Sequence, residues 1–412
     1  MVALLTGHAR RLSFGLFTAF ASSFGQTFFI ALSVPYILAE LAMGEGRFGI
    51  VYALATLTSG LSLPVVGRLI DRMPLRLYTS VAVVGLCAAA LAMAFAQHTL
   101  ALAAAILGLR LAGQGVMGHI SQTVMARDFT RNRGKALGLA GLGYPLGEAL
   151  LPGLFVAAAS LMGWRGAWLA IAVFAVVVLL PAGMFLGHSP RRSEADNGEH
   201  ASRVAPEQLT FRDLISDRRF RLVLPVVMVT PLLLTALFLY NAVLGQAKGW
   251  SPAWLATAFT GYAVCRALAS LGVGPVIDRW TARGVLPLHI APLFLGLAIL
   301  SAGTANWVAL AYLCLVGLTS GASSSVMSAL WAEMYGASQV AAVRSVTAGL
   351  TIISTAISPP IIGLLLERGV GFDAIQYGGM LLTLGASALA WRVVRRDRSS
   401  PESALSQSDI AA

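Results

Sequence analysis

Gly67-Arg68-Leu69-Ile70-Asp71-Arg72, with Arg76 four residues later, recurs as Gly274-Pro275-Val276-Ile277-Asp278-Arg279, with Arg283 four residues later. Each copy follows about twenty apolar residues and precedes another apolar stretch, which is the length a helix needs to cross a bilayer. A polar turn that occurs twice between such stretches predicts a duplicated membrane protein. Both turns are then expected on the same side of the membrane, with one topology shared by the two halves.

The composition also places the chain in a membrane. Of its 412 residues, 57% are hydrophobic and 11% are charged, which leaves too little polar surface for a soluble protein of this length. The net charge of +11 does not indicate a nucleic-acid partner, because no basic stripe with interleaved aromatic residues is present. Cys87, Cys265 and Cys314 lie in apolar runs without the spacing of metal ligands. No metal and no cofactor are therefore expected.

Twelve apolar stretches predict an all-α polytopic protein with two groups of six transmembrane helices. The predicted spans cover about residues 13–39, 47–70, 75–97, 99–126, 135–160 and 163–187, then 220–246, 251–274, 284–304, 306–333, 339–365 and 373–394. The predicted domains are an N-terminal bundle (1–188), a cytoplasmic loop (189–219) with one short surface helix, a C-terminal bundle (220–398) and a cytoplasmic tail (399–412).

The distribution of basic residues predicts the orientation. With both termini in the cytoplasm, twenty-three of the 29 basic residues lie on the inner side. Four lie outside (Arg47, Arg165, Lys248 and Arg368), and Arg110 and Arg266 lie within the membrane. Arg10 and Arg11 precede an apolar stretch that is too long for a secretory signal, so we expect an uncleaved first span in a bacterial inner membrane.

The repeated turn resembles the G-x-x-x-D-R-x-G-x-R loop between helices 2 and 3 of the major facilitator superfamily, and the resemblance covers nearly the whole chain. Pro74 and Thr281 stand where the family usually has glycine. The segment Arg110-Leu-Ala-Gly-Gln-Gly115 resembles the R-x-x-x-x-G segment of the family's helix 4. The resemblance implies a secondary transporter that works by alternating access between two pseudo-symmetric bundles.

The resemblance also implies a cytoplasmic gate. Asp71 can pair with Arg127 or Arg131 at the inner end of helix 4, and Glu333 is expected in a second latch at the inner end of helix 10. An alternative is a solvated turn that only anchors the topology, because surface ion pairs contribute little. The candidate gate residues are Gly67, Asp71, Arg72, Arg76, Gly274, Asp278, Arg279, Arg283, Arg127 and Glu333.

Three charged residues are expected near the middle of the membrane: Arg110, Glu148 and Arg266. A charge at this depth costs about 2.5–3.5 kcal/mol, so each needs a partner or a water-filled cavity. Helices 5 and 8 meet between the halves in this superfamily, so Glu148 can pair with Arg266, with Glu148 as the candidate proton site. Alternatives are a static ion pair, and an Arg110 that is held by backbone carbonyls of helix 1.

Further polar residues are expected to face the cavity, because helices 1, 4 and 7 line it in this superfamily. They are Gln26 and Thr27 on helix 1, Gln114 on helix 4, and Tyr240 and Asn241 on helix 7. His119 is expected to make an interhelical hydrogen bond. The serines of helix 10 are expected to allow close helix packing.

These features predict proton-coupled transport of a small organic anion by a monomer, loosely like the monocarboxylate and oxalate branches, which use an arginine on helix 8. The main alternative is proton-driven efflux of amphipathic compounds, because the glycine pattern Gly138 to Gly147 resembles that of drug/proton antiporters, although Tyr144 interrupts it. A receptor of the same fold is a further alternative. An enzyme is not expected, since the chain lacks H-E-x-x-H, G-x-S-x-G and P-loop motifs.

Overall fold

The computed structural model describes residues 2–129, 132–187, 209–336 and 338–397, and every regular element in these ranges is helical. Arg131, the predicted tail and most of the predicted central loop lie outside the described residues. The short surface helix predicted in that loop is confirmed as Phe211–Ser216. Thr210 caps it, with its side chain accepting from the backbone of Asp213.

Twelve helical segments correspond to the twelve predicted spans. The first six are α1 (Val2–Ser22, continued by Thr27–Ile30 and Val34–Glu40), α2 (Glu45–Arg72), α3 (Leu75–Ala94), α4 (Thr99–Asp128), α5 (133–162) and α6 (164–186). The second six are α7 (Arg218–Leu239 and Asn241–Ala247), α8 (252–280), α9 (282–301, with a turn at 286–290), α10 (Asn306–Tyr335), α11 (Val340–Glu367) and α12 (Phe372–Asp397).

The length and composition of these helices fit a membrane protein. Within the described residues, eight helical stretches are long and apolar enough to cross a bilayer, and the two arms of α1, bent by 44°, form a ninth span. The stretch Arg133–Leu186 has 54 residues, about twice what one span needs, and it breaks at Gly163, where φ is +73°. This break separates α5 from α6. The predicted all-α polytopic fold is confirmed.

Helix α1 is not continuous, although its apolar run predicts one span. The chain leaves helical geometry at Gln26 (φ −81°, ψ 156°), between short 3₁₀ turns. Gly25, just before the break, packs directly on the backbone of α4, where a Cβ would overlap the carbonyl oxygen of Leu109. Leu109–Met117 is itself π-helical. Two irregular backbones therefore meet here, and glycine permits the contact.

The chain divides into two compact units. Unit 1 contains Met1–Ala201, Thr235–Ala263 and Ala356–Gly369, and unit 2 contains Ser202–Leu234, Val264–Thr355 and Val370–Ala412. Unit 1 thus joins the first six helices to parts of α7, α8 and α11. The predicted bundle boundaries, 1–188 and 220–398, stay a prediction.

One end of unit 1 is held together by Glu40, the last residue of α1. Its carboxylate accepts hydrogen bonds from the indole of Trp164 (2.6 Å) and from Arg165 Nε (3.0 Å). Arg165 also donates to the carbonyls of Ala94 and Ala96, both at 2.7 Å. The Trp164 hydrogen bond, followed by Arg165, holds the pKa of Glu40 below its ordinary value. The ends of α1, α3 and α6 are therefore joined by charge-assisted hydrogen bonds.

In unit 2 the turn between α8 and α9 has an unusual backbone. Thr281 adopts φ +61° and ψ 156°, a region that β-branched residues rarely occupy. The Glu333 carboxylate accepts the backbone N–H groups of Ala282 (2.6 Å) and Arg283 (3.1 Å), while the Thr281 hydroxyl accepts from Gly284 (3.3 Å). These bonds satisfy the free donors at the start of α9 and hold the turn in its strained conformation.

We predict that Gly25→Ala lowers the free energy of unfolding by about 1–3 kcal/mol, because the added methyl would force the α1 and α4 backbones apart. Gly153→Ala is the matched control, since a Cβ at Gly153 meets nothing within 4 Å. The measurement is thermal unfolding of the detergent-solubilised protein, followed by tryptophan fluorescence. Equal losses in the two variants would contradict the close contact.

We predict that Thr281→Gly raises the free energy of unfolding by about 1 kcal/mol, because relief of a strained φ is worth about 1–3 kcal/mol and exceeds the loss of the capping hydroxyl. Thr281→Val, which keeps the strain and removes the hydroxyl, should lower it. Both variants are compared with the wild type by the same thermal unfolding measurement. A glycine variant less stable than the wild type would show that the turn carries no strain.

Candidate transport site

Arg110 lies in the π-helical part of α4 and is only 7% exposed. Its Nη1 donates to Thr27 Oγ1 (3.3 Å), and its guanidinium carbon lies 5.5 Å from the centre of the Tyr52 ring. The Tyr52 hydroxyl donates to the same Thr27 oxygen (2.8 Å). Helix 1 therefore holds Arg110 through a side-chain hydroxyl and not through backbone carbonyls.

The charge of Arg110 is not neutralised by a carboxylate. Among the residues that the structure describes, none places an acidic oxygen within 4.0 Å of it, and a hydroxyl with an aromatic ring compensates the charge only partly. Tyr52 was not predicted at this site. The sequence alone does not mark a tyrosine in an apolar span as a site residue. The role of Tyr52 follows from the fold, which places its ring beside the Arg110 guanidinium.

The other predicted residues of α1 and α4 differ in their surroundings. Gln26 lies at the break in α1, and its Nε2 is 3.5 Å from Ser22 Oγ. Gln114 is exposed, whereas Arg110 is buried. Both residues belong to the π-helical segment Leu109–Met117.

Glu148 on α5 is 1% exposed and belongs to unit 1. Pro152 follows it by one turn and removes the N–H that would bond the Glu148 carbonyl. Next to Glu148, the Ala149 carbonyl accepts a hydrogen bond from Thr260 on α8 (3.0 Å), so α5 and α8 meet at this level. Arg266 follows Thr260 by six residues and is half-buried. The pairing of Glu148 with Arg266 stays a prediction.

Tyr240 and Asn241 lie at the break in α7. The Tyr240 hydroxyl is shared between the backbone carbonyls of Pro359 (2.9 Å) and Glu45 (3.0 Å), and the side chain is 2% exposed. Asn241 lines a cavity of about 90 Å³ whose wall includes six aromatic side chains (Phe28, Tyr36, Phe155, Phe238, Trp250 and Phe259). The stacked rings of Phe28 and Phe259, with centroids 5.6 Å apart, belong to this wall.

Glu367, at the end of α11, was not predicted as a site residue. Its carboxylate accepts the backbone N–H groups of Gly46 (2.9 Å) and Arg47 (3.3 Å) at the start of α2. A Cβ at Gly44 would overlap this carboxylate, so a larger residue there would displace it. The positive end of a helix dipole favours an anion, and Glu367 therefore fastens α11 to α2 within unit 1.

The first copy of the repeated turn does not form the predicted ion pair. Asp71, Arg72 and Arg76 are exposed, and the Asp71 carboxylate has no hydrogen bond or ion pair with any described residue. Arg127 instead lies against its neighbour Asp128 (3.4 Å). The predicted Asp71–Arg127 contact is therefore wrong for this structure, while Arg131 lies outside the described residues.

Gly67, the first residue of the repeated turn, packs against His119 of α4. Gly67 is buried, and a Cβ there would lie 3.2 Å from His119 Nε2, so α2 and α4 approach closely at the motif's glycine. The hydroxyl of Thr123, one turn later on α4, lies 3.4 Å from the His119 ring nitrogens. His119 makes no hydrogen bond to another helix among the described residues, so the predicted interhelical bond is wrong for this structure.

The second copy brings Arg283 and Glu333 together, although Asp278 and Arg279 are exposed. Arg283 Nη2 donates to the Glu333 carbonyl (2.6 Å), and Arg283 Nε lies 4.0 Å from Glu333 Oε2. A Cβ added at Gly274 would meet no described atom within 4 Å, in contrast to Gly67. The two copies therefore share their sequence pattern but not their packing.

A second cavity, of about 550 Å³, lies in unit 2. Its wall comes from α7, α10 and α11, with His289 from α9. On α10 the lining residues are Ser320, Ser323, Ser324, Met327, Ser328 and Trp331, which recur every three to four residues and so share one helix face. The prediction that these serines serve packing is wrong for this face. Close packing involves Gly321, where a Cβ would overlap the Arg266 carbonyl.

Comparison with known proteins identifies the family and the fold. The sequence profile described as Major Facilitator Superfamily matches residues 15–256 and 233–410. The uncharacterized MFS-type transporter YcnB of Bacillus subtilis (strain 168) is 28% identical over 169 residues, which are 41% of this chain and 35% of that protein. The chain thus matches about a third of the length of that relative.

Solved structures share the fold at low sequence identity. A bacterial homolog of the human lysosomal transporter Spinster, in an inward-facing and unoccupied conformation, superposes with a TM-score of 0.69 at 15% identity, covering 95% of this chain and 98% of that one. The nucleoside transporter NupG gives 0.71 at 12% identity, covering 95% and 99%. Together with the repeated turn and the twelve helices, the profile match shows that this chain belongs to the major facilitator superfamily.

Proposed function

We propose that this secondary transporter moves a small organic anion across the membrane, coupled to protons, by alternating access of its two halves. Its resemblance to the monocarboxylate and oxalate branches is loose, so the proposal depends on the chemistry of the described residues. Three features support the proposal: the charge of the cavity in unit 2, the contacts that close one end of unit 1, and the buried carboxyl group of Glu148.

The single observation that carries the substrate class is the charge of the cavity in unit 2. Its seventeen lining residues include one arginine, Arg344, but no aspartate or glutamate. Arg344 is exposed and has no carboxylate partner in the described part of the chain. A cavity with basic and no acidic side chains favours an anion and disfavours a cation. Arg110, in unit 1, is a second cation without a carboxylate partner.

The contacts within unit 1 support alternating access. Tyr240 and Glu367 bond α7 and α11 to α2, and Phe28 of α1 stacks on Phe259 of α8. The predicted orientation, which places both termini in the cytoplasm, puts this end of the helices on the extracellular side. We propose that these contacts form the outer gate and that they break when the transporter opens outward.

Glu148 is the proposed proton carrier. A carboxyl that is 1% exposed can be neutral or ionised according to its partner, and a neighbouring arginine would favour the ionised form. The Thr260 bond to Ala149 places α8 beside α5 at this level. Movement of α8 along the transport cycle would then bring Arg266 toward Glu148 or away from it, and so release or take up a proton.

The proposed setting is the inner membrane of a bacterial cell, with the transporter acting as a monomer and without a cofactor. Its partners in this proposal are the small-molecule substrate, protons and the lipid bilayer, with no role for nucleic acid. The excess of basic residues on the predicted cytoplasmic side supports the orientation.

Proton-driven efflux of amphipathic compounds is the second candidate, and the aromatic cavity beside Asn241 favours it. That cavity measures about 90 Å³, whereas pockets for drug-sized ligands have about 300–1,000 Å³. The size difference, together with the basic cavity of unit 2, makes anion transport the better supported function.

We predict that proteoliposomes with the wild-type protein accumulate a small carboxylate under an imposed pH gradient. Glu148→Gln should abolish this accumulation but retain exchange down a substrate gradient, because only the proton site is lost. Arg266→Ala should reduce both at least about tenfold. Arg392→Gln is the matched control at an exposed position. Transport of lipophilic cations alone would contradict the anion proposal, and full accumulation by Glu148→Gln would contradict its proton role.

We predict that Glu367→Gln opens the proposed outer gate, because an amide bonds the N-terminus of α2 more weakly than a carboxylate does. In a variant without the native cysteines, Ala31→Cys reports on the cavity wall by its labelling rate with a membrane-impermeant thiol reagent. The labelling rate should rise about fivefold, because the closed gate loses an exposed charge interaction that contributes about 1 kcal/mol. Glu45→Gln is the control, since only its backbone takes part. An unchanged rate would argue against a gate at Glu367.

A further inference from the structure

The cavity of unit 2 has a wall that is rich in hydroxyl groups. Four of these hydroxyls already use their proton on a backbone carbonyl of their own helix, four residues earlier. The bonds are Ser323 to Thr319 (2.7 Å), Ser328 to Ser324 (2.8 Å), Thr347 to Val343 (3.0 Å) and Thr351 to Thr347 (2.9 Å). A hydroxyl has one proton and two lone pairs, so these four oxygens can only accept further hydrogen bonds.

His289 adds another acceptor to the same wall. The side chain is 6% exposed, and its Nδ1 lies 2.6 Å from the Leu286 carbonyl, which can only accept. Nδ1 therefore carries a proton, and in the neutral imidazole Nε2 has a lone pair. Nε2 is shielded from solvent and has no hydrogen-bond partner in the described part of the chain. A ring nitrogen in this state can accept a hydrogen bond from a ligand or from water.

Arg344 lines the same cavity and supplies hydrogen-bond donors instead of acceptors. It provides several N–H donors and a positive charge, and a guanidinium binds carboxylate and phosphate groups in a bidentate manner. A ligand that satisfies the whole wall must therefore combine an anionic group for Arg344 with hydroxyl donors for the serine and threonine oxygens. A neutral polyol lacks the first, a fatty acid lacks the second, and an amine would find no acidic residue in the wall.

From this pattern we infer that the cavity of unit 2 is a binding site for a hydroxylated organic anion. Arg344 binds the carboxylate or phosphate group, and Ser323, Ser328, Thr347 and Thr351 accept hydrogen bonds from the ligand's hydroxyls. The cavity volume of about 550 Å³ is within the range of small-molecule sites. This inference rests on the proposed transport of an organic anion and names the substrate class more narrowly.

The first experiment measures binding to the full chain in detergent by equilibrium dialysis with labelled gluconate. Hexanoate has the same carbon count and carboxylate without the hydroxyls, and sorbitol has the hydroxyls without the carboxylate. We expect gluconate to bind at least about tenfold more tightly than either, because several hydrogen bonds or one charge-assisted pair are lost in each case. Glycerol phosphate against propyl phosphate makes the same comparison for a phosphate group.

Variants of the residues that line the cavity test whether these residues cause the tighter binding of gluconate. Combined Ser323→Ala and Ser328→Ala should weaken gluconate binding about tenfold and leave hexanoate binding unchanged. Arg344→Gln should weaken both about thirtyfold. Ser62→Ala is a matched control, because Ser62 makes the same bond to the carbonyl four residues earlier (2.8 Å) but lies in α2, outside this cavity. Arg392→Gln is the corresponding arginine control.

The inference is overturned if hexanoate binds as tightly as gluconate and propyl phosphate as tightly as glycerol phosphate. It is also overturned if the double serine variant binds gluconate like the wild type, or if neither hydroxylated anion binds at all. Transport in proteoliposomes separates it from the proposed function. If hydroxylated anions bind through these residues but are not transported, the binding site stands and the proposed transport function fails. If anions are transported without a preference for hydroxyl groups, the transport function stands and the proposed binding site fails.

Discussion

The cost of placing a charge or an unpaired backbone group in hydrocarbon governs this structure. Each intramembrane polar group needs a partner, since water is not available to supply one. Arg110 meets this demand with the hydroxyl of Thr27 and the ring of Tyr52, and Glu148 is withdrawn almost completely from solvent. The Nε2 atom of His289 has no hydrogen-bond partner in the described part of the chain, and this side chain lines the cavity of unit 2, where a ligand or water can supply one.

In unit 1, the irregular backbone segments carry several of the candidate site residues. The break at Gln26 and the π-helical segment around Arg110 lie against each other, and the break at Tyr240 lets a hydroxyl reach two carbonyls of other helices. Irregular backbone within a membrane persists only where neighbouring helices or a cavity satisfy its groups. The predicted site residues of α1, α4 and α7 thus lie at or beside such interruptions, whereas the cavity of unit 2 is lined mainly by the continuous helices α10 and α11.

The repeated turn shows how a duplicated sequence can diverge in structure. In the first copy, Pro74 begins α3 with an ordinary φ of −56°, and Asp71 is exposed. In the second copy, Thr281 adopts the positive φ that glycine would accept freely, and Glu333 holds the turn in place. The same sequence pattern thus produces one turn held by a carboxylate and one without such a bond.

The all-α membrane fold, the number of spans and the duplication could all be predicted from the sequence, because bilayer thickness sets helix length and lipid excludes unpaired charge. The sequence also located Arg110 and Glu148 as buried charges, since charged residues in apolar runs are conspicuous. The partners became visible only in three dimensions: Tyr52 for Arg110, the helix 2 N-terminus for Glu367, and a cavity for the serines of α10. Such partners come from distant parts of the chain or are ordinary residues in apolar helices, so their roles follow from helix packing and from local geometry that hydrophobic periodicity does not encode.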